Sequence, residues 1–270
     1  MLVYHQGRTN RCVDLGCGHG IVSRGFAPFF TTVIGTDPSS GMLEQATSMT
    51  AANHDQSNID YQQAAAEELP FLDNESIDMV VAGQAAHWFD YARLFPELKR
   101  ILRKGGTLAF WGYLDHVFVD HPKATEIVTA YAYGNDERTL GPYWQQPGRS
   151  IVRNKLRDIE PPTGDWENIQ RIEYEPAAYG RNAGDGTLLL EKRMKLIDCE
   201  NYIRTWSSYH GWQEKFPSLK KREAGGTGDV VDEMFDDIRK TEPAWQKDQH
   251  WLEQEVDIEW PSGLLLARRR

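Results

Sequence analysis

The stretch that most constrains this chain is Arg11-Cys12-Val13-Asp14-Leu15-Gly16-Cys17-Gly18-His19-Gly20. Its short apolar run (Cys12, Val13, Leu15) reads as a buried strand. The run breaks into glycines at 16, 18 and 20, and a helix is predicted from Ile21. Glycine has no Cβ, so the backbone can turn sharply there and come close to a ligand. Strand, glycine turn and helix form the front half of a nucleotide-binding βαβ unit. A merely tight βα turn would use the same residues, so the ligand has to be argued from spacing.

A dinucleotide fingerprint is G-x-G-x-x-G, and the position of its third glycine holds Ile21. What stands instead is D-x-G-x-G-x-G, the pattern of S-adenosylmethionine sites, where no pyrophosphate sits on the helix end. Asp14, Gly16, Gly18 and Gly20 are therefore candidate cofactor residues. The next strand is Thr31-Thr32-Val33-Ile34-Gly35-Thr36, dominated by β-branched residues. Asp37-Pro38 follows it, about 20 residues past the first glycine, where an acidic residue accepts ribose hydroxyls. Asp37 could also serve as a helix-initiating residue ahead of Pro38, and the two roles are compatible.

From Cys12 to about Tyr113 the chain resembles a class I S-adenosylmethionine-dependent methyltransferase, most of all the fungal trans-aconitate methyltransferase-like group. The residues that carry the resemblance are Val13–Gly20, Val33–Pro38, Ala66-Glu67-Glu68-Leu69-Pro70-Phe71 and Gln84-Ala85-Ala86-His87-Trp88-Phe89. Leu102–Leu108 and Tyr202–Ser207 extend it over nearly the whole chain, in the family's order. It implies an α/β fold: a Rossmann-like methyltransferase sheet with a closing antiparallel hairpin and an inserted, mainly helical substrate cap. It also implies S-adenosyl-L-methionine as cofactor, with Pro38, Met42, Ala66, Glu67 and Gln84 beside it. Met42 read by itself is a core residue of its helix, and Glu67 and Glu68 can equally be a solvated pair. Many related enzymes have an Asp near Ala65 that bonds the adenine amino group, and this chain has none. Relatives also carry helices ahead of the first strand, where this sequence has very little chain.

Composition narrows the partners. The 270 residues are 40% hydrophobic and 26% charged, ordinary for a globular protein. The net charge of −10 argues against a nucleic-acid backbone as partner, and Arg268-Arg269-Arg270 is too short to reverse that. Cys12, Cys17 and Cys199 suggest neither a disulfide framework nor a zinc site, so a reducing compartment is expected. With no membrane-length apolar run and no signal-like start, the expected location is cytoplasmic, with no membrane partner. The oligomeric state stays open.

Helices are predicted from Ile21 to Ala27, from Ser40 to Ala52 and from Tyr91 onward, the last ended by Lys104-Gly105-Gly106. Strands are predicted at Asn58–Gln63, Ile77–Ala82 and Thr107–Tyr113. Strict alternation stops at Leu114, so the expected division is a cofactor core of residues 1–113 and 247–270 with a cap of residues 114–246. The cap is rich in aromatics, most of them its core. Ser218–Gly228 reads as an exposed loop. Leu252–Trp260 alternates apolar and acidic, an antiparallel strand with one wet face. Pro261-Ser262-Gly263 should turn it into Leu264-Leu265-Leu266-Ala267 as the closing hairpin.

Ligands of open α/β sheets sit beyond the carboxyl ends of strands where strand order reverses. In the family's order that point lies between strands one and four, so Gly16–Gly20 and Gln84–Trp88 line one crevice. His87 could be a general base, a donor to a substrate carboxylate or a packed loop residue, and Trp88 an apolar wall. Tyr113, Arg149, Arg204 and Trp206 are candidate substrate residues; either arginine could clamp an anion or simply be a surface residue. His116, His121 and His210 have no metal-ligand spacing, and no metal is assigned. The function expected is a small-molecule O-methyltransferase. The resemblance implies a carboxylic acid similar to trans-aconitate as substrate. An aromatic or polyketide-like metabolite, or a relative that binds cofactor without turnover, are the alternatives.

Overall fold

The computed structural model describes residues 1–52 and 57–270, and the chain forms two compact units. The first is Met1–Tyr113, Ser150–Ile172 and Gly263–Arg270; the second is Leu114–Arg149 and Glu173–Ser262. The expected boundaries differ from these in two places. Residues 150–172 fold with the first unit, and residues 247–262 with the second.

The first unit alternates as the sequence suggests: β1 (Arg11–Leu15), α1 (Ile21–Phe26), β2 (Thr32–Asp37), α2 (Ser40–Ala51), β3 (Ile59–Gln63), β4 (Ile77–Gly83), α3 (Tyr91–Ile101) and β5 (Leu102–Tyr113). The strands lie in the order β3-β2-β1-β4-β5, all neighbours parallel. The central strands β1 and β4 are covered on both faces, which is why they read as near-continuous apolar runs, whereas β3 at the edge is polar and largely exposed. Side chains alternate along a strand. Val13, Ile34, Val80 and Leu108 pack on one side, while Cys12, Val33, Met79 and Ala109 pack on the other. The helices start on side-chain caps: Ser39 Oγ accepts from Met42 N at 3.3 Å, and Asp90 Oδ1 from Ala92 N at 3.1 Å.

Lys104-Gly105-Gly106 does not end α3. The helix stops at Ile101, and these residues lie inside β5. The ladder slips between Ile77↔Leu102 and Met79↔Thr107, with Gly105 at φ +76° absorbing the extra residues.

The chain continues with β6 (Val117–Phe118), α4 (Pro122–Tyr133), α5 (Gly148–Arg153), β7 (Trp166–Glu175), β8 (Asp185–Gly186) and β9 (Glu191–Lys195). Then come α6 (Leu196–Ile203), α7 (Ser207–Lys215), α8 (Val230–Arg239), α9 (Pro243–Lys247), β10 (Glu255–Glu259) and β11 (Ser262–Arg269). The expected hairpin of β10 and β11 does not form. β11 lies between β5 and β7 in the large sheet, whereas β10 is the centre of a separate sheet, β6-β10-β9, antiparallel to both neighbours. The wet face expected of β10 is only partial, with Glu255 exposed, Asp257 half-buried and Glu259 buried, and its partners are others. Pro261 has no N–H with which to continue a ladder, and its carbonyl accepts from Leu114 N at 2.8 Å. Glu259 is fully buried and held by the Tyr174 hydroxyl and by Asn182 N at 2.7 Å. No apolar alternation marks β7 in the sequence, because most of its residues are polar and exposed.

Candidate cofactor site

The site grows from the turn after β1. Gly16 and Gly18 take φ of +64° and +52°, the left-handed region that glycine enters without strain. A Cβ on Gly16 would lie 2.6 Å from Ala85 Cβ, so the β4 loop packs directly on that backbone. A Cβ on Gly18 would meet nothing within 4 Å. Gly18 faces open space. That space is a cavity of about 580 Å³ beyond the carboxyl ends of β1, β2 and β4. Gly16 and Gly18 form one side, and Asp37, Pro38, Ser39 and Met42 the next. Ala65, Ala66 and Glu67 close a third, and Gln84, Ala85, Trp88 and Phe89 the fourth.

Backbone donors settle the charges. Asp37 Oδ2 accepts from Gly18 N and Oδ1 from Ser39 N, both at 2.9 Å. The carboxylate therefore braces the glycine turn and starts α2 while lining the cavity. Glu67 accepts from Asp90 N at 2.8 Å. Met42 is 43% exposed and Trp88 52%, so each presents apolar surface to the cavity rather than to a core. That rules out the core reading of Met42.

Five expected residues take up other contacts. Asp14 is buried behind the turn, accepting from Ser23 Oγ at 2.6 Å, and does not line the cavity. Burial pushes its carboxyl up to about 7 against the Ser23 hydrogen bond, and the Asp37 charge pushes the same way. Gly20 sits at the start of α1, where a Cβ would run into the Tyr61 hydroxyl, so packing rather than a ligand demands it. Gln84, at φ +57°, turns its amide onto β5: Nε2 donates to Tyr113 O at 2.7 Å and Oε1 accepts from Tyr113 N at 2.9 Å. Tyr113 is thus fixed by its backbone, and neither it nor His87 lines the cavity. The His87 ring lies 4.7 Å, centroid to centroid, from that of Trp88. The lining residues that were not singled out are Ser39, Ala65, Ala85 and Phe89. Ala85 and Phe89 stood within the run that carries the resemblance; the others had no chemical signal.

A methyltransferase-domain family model matches residues 13–110. Over its whole length the chain is 31% identical to Saccharomyces cerevisiae CRG1, described as a probable S-adenosylmethionine-dependent methyltransferase, and spans 89% of it. The chain belongs to the class I S-adenosylmethionine-dependent methyltransferases. A Dictyostelium discoideum protein named as a methyltransferase is 26% identical, over 97% of this chain and 83% of its own. A solved structure from Anaeromyxobacter dehalogenans, described provisionally as a Type II methyltransferase, superposes with a TM-score of 0.67 at 25% identity, covering 96% of this chain and 90% of that one.

S-adenosylmethionine is the cofactor, and the cavity suits it. The open space at Gly18 leaves room for a ligand against the backbone, and Asp37 puts a carboxylate on the cavity wall at the end of β2. Met42, Ala66, Trp88 and Phe89 offer apolar walls for a flat base and a sulfonium chain.

The remaining candidates lie in the second unit. Arg204 is not an available clamp. Its guanidinium is buried and meets Glu200 at 2.8 Å, Asp229 at 2.9 Å and Asp232 at 3.1 Å. Burial disfavours its charge, but these carboxylates more than compensate and raise its pKa. Burial opposes ionisation of Asp229, yet Arg204 and Tyr209 hold its carboxyl low; burial pushes Glu200 up. Arg149 differs: one nitrogen, Nη2, bonds Asp115 Oδ1 at 2.6 Å and the Tyr133 hydroxyl. Trp206 is buried against Trp144 and Tyr202, with ring centroids 5.6 and 6.1 Å away. Among the described residues no group of His, Cys, Asp and Glu is arranged to hold a metal ion.

Proposed function

We propose that this methyltransferase esterifies a small carboxylic acid resembling trans-aconitate, with the second unit acting as the substrate cap. The observation that carries the reading is that the described residues lining the cavity include no histidine, lysine, tyrosine or cysteine to take a proton. Asp37 has both oxygens held by backbone N–H groups, and Glu67 accepts one, from Asp90. The bound cofactor supplies an electrophilic methyl carbon on a sulfonium. A carboxylate nucleophile is ionised at pH 7 and needs no proton acceptor from the chain, whereas a phenol does. The chain's part is then to position: the glycine turn and Asp37 orient one reactant, and Trp88 and Phe89 exclude water. Arg149, buried on an aromatic wall, is the second unit's cation of choice for an anion.

The aromatic cluster of Tyr133, Trp144, Trp206 and Trp260 favours a second reading, an aromatic or polyketide-like substrate. Among the described residues no helix is long and apolar enough to cross a membrane, and the three cysteines are buried free thiols. A cytoplasmic setting, without nucleic-acid or membrane partners, goes with this reading. The test is a methyl-transfer screen over carboxylic acids and phenols with mass detection. Methyl esters support the first reading; aryl methyl ethers alone would replace it with the second.

A further inference from the structure

We infer that His116 and Arg149 form a carboxylate-binding subsite in the second unit, in which His116 determines specificity. This deepens the carboxylic-acid reading and rests on it. His116 is 1% exposed, and neither ring nitrogen has a hydrogen-bond partner among the described residues. Its ring is enclosed by Phe118, Tyr202, Trp260 and Trp206, with centroids 4.8, 5.6, 6.1 and 6.4 Å away. A neutral imidazole has one donor and one acceptor, and burying both unmet is costly. Packing alone would favour a phenylalanine in such a cage. The ring instead keeps two polar atoms that a ligand can satisfy.

Arg149 supplies the complementary observation. Its side chain is 10% exposed, and its guanidinium lies 3.8 Å over the Trp144 ring. Asp115 and Tyr133 hold Nη2, yet Nε is buried with no hydrogen-bond partner among the described residues. Asp115 and Tyr133 take up Nη2, which belongs to both two-donor edges of the guanidinium, so what Arg149 still offers an anion is its charge and the single Nε–H donor. The two centres share one wall, because Trp206 packs on both His116 and Trp144. Asp115, next to His116 in the chain, anchors Arg149 and so couples their placement. A planar acid with apolar carbon between its polar groups fits such a wall better than a neutral alcohol or an amine.

The test uses the whole protein saturated with S-adenosylhomocysteine, which prevents turnover, and calorimetric titration. The probe is trans-aconitate, or the best acid of the screen if that is another. His116→Phe should fold with an unchanged or higher Tm, weaken acid binding by about tenfold or more, and raise KM far more than it lowers kcat. His116→Gln, which keeps a donor and an acceptor, should recover most of the binding. Arg149→Lys, which keeps the charge but loses the Nε donor, should also weaken it by about tenfold. Acid affinity and KM within about twofold of wild type in folded His116→Phe would overturn the subsite. So would a His116→Gln variant no better than His116→Phe, since only packing would then matter. If His116→Phe does not fold, His116→Leu and Arg149→Lys carry the same comparison. Wild type that methylates acids while these variants bind them equally well refutes the subsite alone. Wild type that neither binds nor methylates any acid refutes both readings.

Discussion

The cofactor cavity and the arginine centre of the second unit handle buried charge in opposite ways. At the cavity, Asp37 is balanced by backbone N–H groups of Gly18 and Ser39, one of them only two residues away. In the second unit, Arg204 is balanced by side chains, two of them 25 and 28 residues further along. Backbone donors cost no side-chain entropy and arrive with the turn itself. The carboxylates of Asp229 and Asp232 arrive only when the fold brings α8 to α6, where they also form a capping box. A motif therefore announces the first centre in the sequence, and nothing announces the second. Breaking them should also differ: one loss is of a ligand, the other of the fold.

The largest effects test that contrast directly. Arg204→Met leaves three buried or half-buried carboxylates without their cation, and removing one partner of a buried ion pair costs about 3–5 kcal/mol. Chemical denaturation should show that loss, and a variant within about 1 kcal/mol of wild type would mean the cluster is solvated. Gly18→Val should do the reverse. Its side chain would enter open space in the cavity at φ +52°, costing about 1–2 kcal/mol of stability but abolishing measurable cofactor binding. Calorimetry that finds normal affinity would make the turn purely structural.

Asp14 sharpens the comparison, because it is a buried carboxyl beside the cavity that, among the described residues, is reached by Ser23 and by no cation. Its pKa is raised from the unfolded value of 3.8 to about 7. The stability tied to this proton is therefore full below about pH 4 and lost as pH rises through about 7. At about 1.36 kcal/mol per unit the upper bound is about 4 kcal/mol over that window. Asp14→Asn should remove this fall, whatever constant cost the amide adds. Parallel wild-type and mutant stability curves between pH 4 and 7.5 would show that Asp14 is ionised in the fold.

Asp37→Ala removes a charged acceptor that braces Gly18 and faces the cavity. Cofactor affinity should fall by about 1.5–3 kcal/mol, the scale of a charge-assisted hydrogen bond. A folded variant with wild-type affinity would leave Asp37 with its helix-starting role only.

The first unit was legible because its signals are local. Val13, Val33 and Val80 lie in apolar runs that a doubly covered parallel sheet requires, and the glycine spacing marks the turn. Asp14 and Gly20 were legible as motif members but not by role, since Ser23 and Tyr61 reach them only in three dimensions. In the second unit, Arg149 and Arg204 look alike in sequence. Asp115 and Asp229 set them apart from 34 and 25 residues away. β10 shows the same limit: its alternation gave the strand type, while its partners β6 and β9 are set by long-range pairing.

The smallest expected effect concerns His87, the residue whose motif position most invites a catalytic role. It does not line the cavity and its ring leans on Trp88. If the substrate is a carboxylate, no proton has to be removed in the transfer. His87→Gln keeps hydrogen-bonding capacity but cannot act as a base, so turnover should stay within about tenfold of wild type. A phenolic substrate with His87 as base should instead lose about 10²–10⁴-fold. The pH profile separates the cases independently, because a histidine base imposes a falling acid limb near its pKa. Turnover of wild type and His87→Gln from about pH 5.5 to about 8.5 brackets that limb. A large loss together with the limb would overturn the carboxylate reading, and would make His87 a proton acceptor from outside the cavity lining.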